Sequence, residues 1–221
     1  MTKTLFFSDA HIPYTDERFL KFIEMACIDP DVDAVYGLGD TFDLLRRDFA
    51  EIIACEPGAK CISVLRGLAS IKPVWLLPGN HDVDLIKWAA GLNPIEVMGR
   101  HVFCDGYLLT HGYEYDLLCR SLPWRLLAKV LPWWFKSPSQ LKAAGQSHKY
   151  NKQVGLIHGM AIADVEATDS FDGIIMGHTH QLLIISTESN KTVADCGDFL
   201  DSASYLCLQN GQITKHKIPL S

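Results

Sequence analysis

Four short stretches of this chain carry side chains that bind cations. They are Ser8-Asp9-Ala10-His11, Gly39-Asp40, Gly79-Asn80-His81-Asp82 and Gly177-His178-Thr179-His180, and each follows an apolar, strand-like run. With His111 they supply enough carboxylate, imidazole and amide donors for two metal ions. A carboxylate can bridge two cations and offset their mutual repulsion. Neutral imidazoles suit Mn, Fe, Zn or Ni, and hard oxygen donors keep Mn and Mg in range. Two ions about 3.5–4 Å apart share and acidify a water, and they neutralise the charge that builds on a phosphoryl group under in-line attack. These residue types therefore predict two-metal hydrolysis of phosphate esters or anhydrides. One buried histidine is more often a hydrogen-bonded core residue than a ligand, and Gly-Asp or Gly-Asn usually marks a turn. Packing does not explain Asp9, His11, Asp40, Asn80, His111, His178 and His180 together with His81.

The elements that must position these groups can be read from periodicity. Leu5-Phe6-Phe7, Ala34 to Leu38, Val74 to Leu77 and Ile174 to Met176 are short buried-strand signals, each ending just before a candidate ligand. Asp9 and His11 are two apart, as are His178 and His180, so each pair projects from one side of an extended segment. Asp40, Asn80 and His111 each sit just past a strand, and in open α/β sheets the carboxyl ends of strands form the ligand crevice. Asp16 is placed to cap a helix running to Cys27, with Phe19, Leu20, Ile23 and Ala26 on one face. A helical region follows Asp40, with a break expected near Pro57-Gly58, and Val83 to Ala90 reads as helical. Hairpins are expected around Asp105-Gly106, Ser189-Asn190 and Asn210-Gly211. Strand–helix alternation first and hairpins last make a mixed α/β layout.

The chain of 221 residues is enough for one full-sized domain, 1–221. A formal net charge of −6 argues against a general nucleic-acid binder, so no stable nucleic-acid partner is expected. Seven scattered cysteines with no C-x-x-C pair suit a reducing compartment. No signal peptide is visible before the first strand, and no apolar stretch reaches the roughly 18 residues a span needs. A cytoplasmic protein is expected, peripheral at most to the inner face of a membrane.

Tyr113 to about Ala167 differs from the rest. It lacks strand patterning and concentrates Arg120, Arg125, Lys129, Lys136, Lys142, Lys149 and Lys152 with Trp124, Trp133 and Trp134. It reads as a helical cap insertion at about 113–167 lying over the site. His148 and His158 read as surface or cap histidines, and His101 and His216 likewise. Asp198 reads as a turn residue, and Asp43 and Arg46 as a helix start, with the rim of the crevice as the alternative for both.

The ordered set D-x-H, GD, GNHD, a lone H and GHTH, across residues 9 to 180, resembles the calcineurin-like metallophosphoesterase family. The resemblance implies a four-layer α/β sandwich of two mixed β-sheets flanked by helices. It implies one metal held by Asp9, His11, Asp40 and His180 and a second by Asp40, Asn80, His111 and His178, with Asp40 bridging and Mn as the favoured ion. It also implies that His81 contacts the phosphate and protonates the leaving oxygen, with Asp82 orienting His81. Within the family the chain looks most like the UDP-2,3-diacylglucosamine pyrophosphatase group. The features that carry this are Gly39-Asp40-Thr41-Phe42-Asp43, Thr110-His111-Gly112 followed by a helical insertion, and Gly197-Asp198-Phe199 to Ser204-Tyr205. The main branch of that group carries Arg in place of His81, and typically S-D-L-H where this chain has Ser8-Asp9-Ala10-His11. The resemblance implies a small phosphorylated substrate such as a nucleotide-linked lipid, with peripheral membrane contact through the cap; Leu122, Trp124, Leu126, Leu127, Val130, Leu131 and Trp133 to Phe135 read first as ordinary cap packing and second as a groove for its acyl chains. The alternative substrates are nucleotides, dinucleoside polyphosphates or phosphoproteins, with a nuclease behind them. A non-enzymatic scaffold of this fold, like the retromer scaffold subunit, is expected to lose ligands, and this chain retains the set.

Overall fold

The structure is a computed structural model that describes residues 3–117, 119 and 147–219. Its elements in order are β1 (Lys3–Phe7), α1 (Glu17–Ile28), β2 (Val32–Leu38), α2 (Phe49–Ala54), α3 (Glu56–Ala69), β3 (Val74–Leu77), α4 (Ala89–Leu92), β4 (Glu96–Val97), β5 (Val102–Cys104), β6 (Tyr107–Leu109), α5 (Ser147–Glu166), β7 (Gly173–Met176), β8 (Leu182–Ser186), β9 (Thr192–Cys196), β10 (Ser204–Gln209) and β11 (Gln212–Lys217). Single 3₁₀ turns lie at Leu85–Trp88 and Tyr113–Tyr115.

Two mixed sheets form. One has the order β11-β10-β1-β2-β3-β4 and the other β5-β6-β7-β9-β8. In the first, β1 to β4 run parallel and β10 and β11 pair antiparallel at its edge. In the second, β6, β7 and β9 run parallel, flanked by antiparallel β5 and β8.

The alternation of strand side chains sorts them into layers. Leu5 and Phe7 pack toward α1 and α3 with Phe19, Phe22, Ile23 and Leu65. Phe6, Tyr36, Leu38 and Leu77 face the other way and meet Leu109, Ile175, Ala194 and Cys196 between the sheets. Ile174, Met176 and Val193 bury the far face against Ile157, Ala161 and Val165 of α5. The result is helix, sheet, sheet, helix, the four-layer sandwich that the family resemblance implies. Each fully buried Phe or Leu contributes roughly 1.5–3 kcal/mol, so three contiguous apolar layers hold the strand ends in fixed register.

Local chemistry sets the boundaries. Asp16 caps α1, its carboxylate accepting from the Arg18 N–H. The three expected hairpins form, with positive φ at Asp105, Gly106, Asn190, Asn210 and Gly211. The helix break falls at Cys55 rather than at Pro57-Gly58. Pro57 lies in the first turn of α3, where a missing N–H costs nothing, and Gly58 fits there because a Cβ would stand 2.1 Å from the Ile52 carbonyl oxygen. Val83 to Ala90 is not one helix but a 3₁₀ turn followed by a single α turn. Of the expected cap, the 3₁₀ turn at Tyr113–Tyr115 and α5 are described. Its basic and apolar centre, Arg120 to Lys142, lies outside the described residues. Among the described residues no helix is long and apolar enough to cross a membrane.

Candidate metal centre

The ends of β1, β2, β3, β6 and β7 point to one place. Asp9 and His11 follow β1, Asp40 follows β2, Asn80 and His81 follow β3, His111 follows β6, and His178 and His180 follow β7. Asp9, His11, Asp40, Asn80, His111 and His180 are all buried. Asp9 Oδ2 accepts the Ser8 hydroxyl at 2.5 Å and the His178 N–H at 2.8 Å. Its other oxygen, Oδ1, lies 3.2 Å from His180 Nε2 and 3.6 Å from His11 Nε2. Asp40 Oδ1 accepts the His81 backbone N–H at 2.7 Å. Its Oδ2 faces three imidazoles, His111 at 3.3 Å, His11 at 3.9 Å and His81 at 4.0 Å. His111 is set by its far nitrogen: Nδ1 donates to the Leu38 carbonyl at 2.7 Å, which turns Nε2 into the crevice, 3.0 Å from Asn80 Oδ1. The His178 ring lies 5.2 Å from that of His111, and its Nε2 lies 3.1 Å from Asp116 Oδ2.

Away from the turns at Asp105, Asn190, Ala203 and Asn210, the described non-glycine residues with left-handed backbone all lie in this site. Asp9, His11, Asp40, His178 and His180 all have positive φ, between 47° and 72°. Such conformations are uncommon outside glycine and cluster at functional sites. Neighbouring glycines make room for the ligand side chains. A Cβ on Gly79 would stand 2.2 Å from Asp40 Oδ1, and one on Gly177 would stand 1.8 Å from Ser8 Oγ and 2.8 Å from Asp9 Oδ2. Gly79→Ala is therefore expected to cost about 1–3 kcal/mol of stability and to displace Asp40. A thermal melt with a parallel measurement of bound metal checks both effects.

Burial alone would raise the carboxyl pKa values of Asp9 and Asp40, but the surrounding imidazoles outweigh it and hold both well below the usual carboxylate range. Burial alone would lower the histidines. Against it, Asp40 and Asp9 push His111 up to about 10, and Asp9 pushes His180 up to about 9. His11 moves the other way, driven down by burial. This cage of two anions therefore demands positive charge. The donor set fits metal ions by a separate observation: Asp9 Oδ1 is buried without a hydrogen-bond partner, as is His11 Nδ1. A buried acceptor is left this way at a cost of a few kcal/mol unless a cation answers it. Asp9, His11 and His180 form one group whose donor atoms lie within 4.8 Å of one another, and Asp9, Asp40 and His111 form another.

Three readings of residues around the site need correction. The carboxylate that holds His81 belongs to Asp43, whose Oδ1 lies 2.8 Å from His81 Nδ1, and not to Asp82. Asp82 accepts three backbone N–H groups instead, from Gly79 at 2.6 Å and from Asp40 and Phe42 at 3.1 Å. It ties two ligand loops together, and burial beside Asp40 pushes its pKa up to about 7. Asp43 does not start a helix, since α2 begins at Phe49. Its Oδ2 takes Arg46 Nη1 at 3.0 Å and lies 3.9 Å from His11 Nδ1. The spacing G-D-x-x-D was the available signal, because a loop of that length returns the second carboxylate toward the first. The third correction is His158, which is buried on α5 with its Nε2 3.1 Å from Asp195 Oδ2. Asp198 is a turn residue as expected, its Oδ1 accepting from the backbone of Leu200, Asp201 and Ser202. His101 and His216 lie outside the centre, His101 against Glu114 and His216 stacked on Tyr205.

Comparison with known proteins agrees with this geometry. A family model described as calcineurin-like phosphoesterase matches residues 2–182. A UDP-2,3-diacylglucosamine hydrolase of Stenotrophomonas maltophilia (strain K279a) is 26% identical over 243 residues, covering 94% of this chain and 95% of the relative. One from Coxiella burnetii (strain Dugway 5J108-111) is 27% identical over 206 residues, covering 82% of each. Among solved structures, a hypothetical protein, PH1004, from Pyrococcus horikoshii OT3 superposes with a TM-score of 0.52 at 8% identity, covering all of this chain and 89% of that one. That last likeness is one of fold alone.

Proposed function

Because this chain belongs to the calcineurin-like phosphoesterase family, and is thereby a metal-dependent phosphoester hydrolase, we propose that its substrate is the diphosphate of a nucleotide-linked lipid of the UDP-2,3-diacylglucosamine type. The observation that carries this reading is the near full-length match to relatives of that name, 94% of this chain against 95% of one of them. In this reading Asp9, His11, Asp40 and His180 hold one ion, and Asp40, Asn80, His111 and His178 hold the second. Mn fits best, since the set mixes hard oxygens with imidazoles. Bound there, two divalent ions acidify the attacking water and neutralise phosphoryl charge. Asp40 would be shared by both ions, and Asn80 Oδ1 and His111 Nε2, 3.0 Å apart, would both face the second. His81 stands at the mouth, 15% exposed at its side chain where Asp40 is 3%, so it is the group that meets the phosphoryl oxygens and the leaving group. Hydrolysis of the anhydride would release UMP and a lipid sugar phosphate.

A substrate panel with added Mn tests the reading, comparing UDP-diacylglucosamine, a nitrophenyl diester, nucleotides and dinucleoside polyphosphates. The expected result is a kcat/KM at least ~100-fold higher for the lipid, a gap of about 2.7 kcal/mol in transition-state binding. Turnover of a dinucleoside polyphosphate or nucleotide with none of the lipid would replace this substrate by the other.

Proton release gives an independent check. His111 and His180 are held protonated up to about 10 and 9, and an imidazole must be neutral to bind metal. Mn uptake by the metal-free protein should therefore release up to two protons at pH 7–8 and weaken as pH falls. Calorimetry in two buffers of different ionisation enthalpy reads the number directly. Uptake with no proton release and no pH dependence would remove these two histidines from the ligand set.

A further inference from the structure

The Gly177–His180 turn carries two of the ligands proposed above, yet little in its own backbone holds its shape. His178 and His180 have φ of 72° and 56°, and left-handed conformations cost such residues of order 1–3 kcal/mol each. One local bond closes the turn, from the Thr179 N–H to the Gly177 carbonyl at 2.9 Å. Asp9 grips it from the crevice side through the His178 N–H. From the opposite side the grip comes through Thr179, the residue between the two histidines, which is only 2% exposed.

The Thr179 hydroxyl donates to Asp195 Oδ2 at 2.6 Å. Asp195, on β9, is wholly buried. The same oxygen meets His158 Nε2 at 3.1 Å, and Oδ1 accepts the Gly197 N–H at 3.0 Å. A carboxylate taken fully out of water is costly unless its lone pairs are answered. Here a hydroxyl, an imidazole and a backbone amide answer them, and each comes from a different element. Tyr150, also on α5, donates its hydroxyl to the Thr179 carbonyl. The loop is thus clamped from behind by a buried polar group that α5 and β9 share.

We propose that Asp195, braced by His158, is a positioning residue for metal binding: through the Thr179 hydroxyl it fixes the angle at which His178 and His180 present their imidazoles. This rests on the reading that those two histidines are ligands. Groups that orient ligands in this way typically change metal affinity 10–100-fold when removed.

The test uses the full chain stripped of metal and titrated with Mn²⁺, with free Mn²⁺ followed by electron paramagnetic resonance and unfolding by a thermal melt. Thr179→Val keeps the shape and removes the hydroxyl, and should bind Mn²⁺ about 10–100-fold more weakly. Thr179→Ser restores the hydroxyl and should bind within about threefold of the parent chain. His158→Leu leaves the loop sequence untouched and should also weaken Mn²⁺ binding, so the question stays answerable if Thr179→Val does not fold. Parental Mn²⁺ affinity in folded Thr179→Val or His158→Leu, even with a lowered melting temperature, overturns the proposal, because a merely structural clamp would do only that. Equal weakening in Thr179→Ser and Thr179→Val overturns it as well. If the parent chain itself takes up no Mn²⁺, the ligand reading fails and this inference falls with it, an outcome distinct from a normal parent with normal variants.

Discussion

Asp40→Ala is expected to lower bound Mn from two ions to one or fewer and to reduce kcat by about 10³-fold or more. Asp40 is 2% exposed and its Oδ2 faces His111, His11 and His81 at 3.3–4.0 Å. It is the carboxylate shared by both proposed ligand sets. Two unit charges 4 Å apart repel by about 4 kcal/mol at an effective dielectric of 20, and two dications by about four times that. Without an anion between them the second ion has no reason to stay. Each ion supplies several kcal/mol of transition-state stabilisation, and about 4 kcal/mol corresponds to a factor of about 10³. Asp40→Asn separates charge from shape, because the amide oxygen still accepts the His81 N–H. Elemental analysis of the purified variants, with rates at saturating Mn, gives both quantities. Two ions and full rate in Asp40→Ala would remove the bridge from the mechanism.

The candidate ligand residues were legible because each follows a strand signal, but the pairs Asp9/His11 and His178/His180 do not leave extended segments as their spacing suggests, since all four have positive φ. Asp9 and His11 follow β1, and the parallel order of β1, β2 and β3 brings Asp40 and Asn80 beside them. The two sheets then face each other through Phe6, Leu38, Leu109 and Ile175, which carries His111 and His178 across. Of the residues that brace the site, Asp43 was legible only as an alternative at the crevice rim, and Asp195 and His158 were not legible. Asp43 lies in an irregular turn between β2 and α2, and the fold of that turn is set by the backbone bond from the Asp43 N–H to the Ile12 carbonyl at 3.0 Å, a contact from 31 positions away. Asp195 reads as one more residue of a hairpin strand, and His158 as one more polar residue of a helix. Only the packing of α5 on β9 joins them behind the metal loop. Two-residue β4 carried no periodic signal at all. Local pattern thus marks the candidate groups, while the residues packed behind them are brought there by long-range contacts.

His81→Ala separates proton transfer from metal binding in the same site. His81 Nε2 lies 4.0 Å from Asp40 Oδ2, beyond hydrogen-bond reach, while Nδ1 is fixed by Asp43 at 2.8 Å. The proposed metal ligands are untouched by the substitution, so Mn content should stay near that of the parent. The rate should fall by the ~10²–10⁴ that a general acid contributes, and the fall should depend on the leaving group. An alkyl phosphate, whose departing oxygen needs a proton, should suffer most. A nitrophenyl ester or a diphosphate, whose leaving group departs as a stable anion, should suffer least. Burial alone would lower the His81 pKa, but Asp40 and Asp43 together raise it, and a general acid works only while protonated. Activity should therefore decline as pH rises through that pKa. Asp43→Asn removes one of the two anions that raise it, so the decline should begin at lower pH while metal content holds. A uniform loss across leaving groups, or an Asp43→Asn profile superimposable on the parent, would show that His81 only binds phosphate and donates no proton.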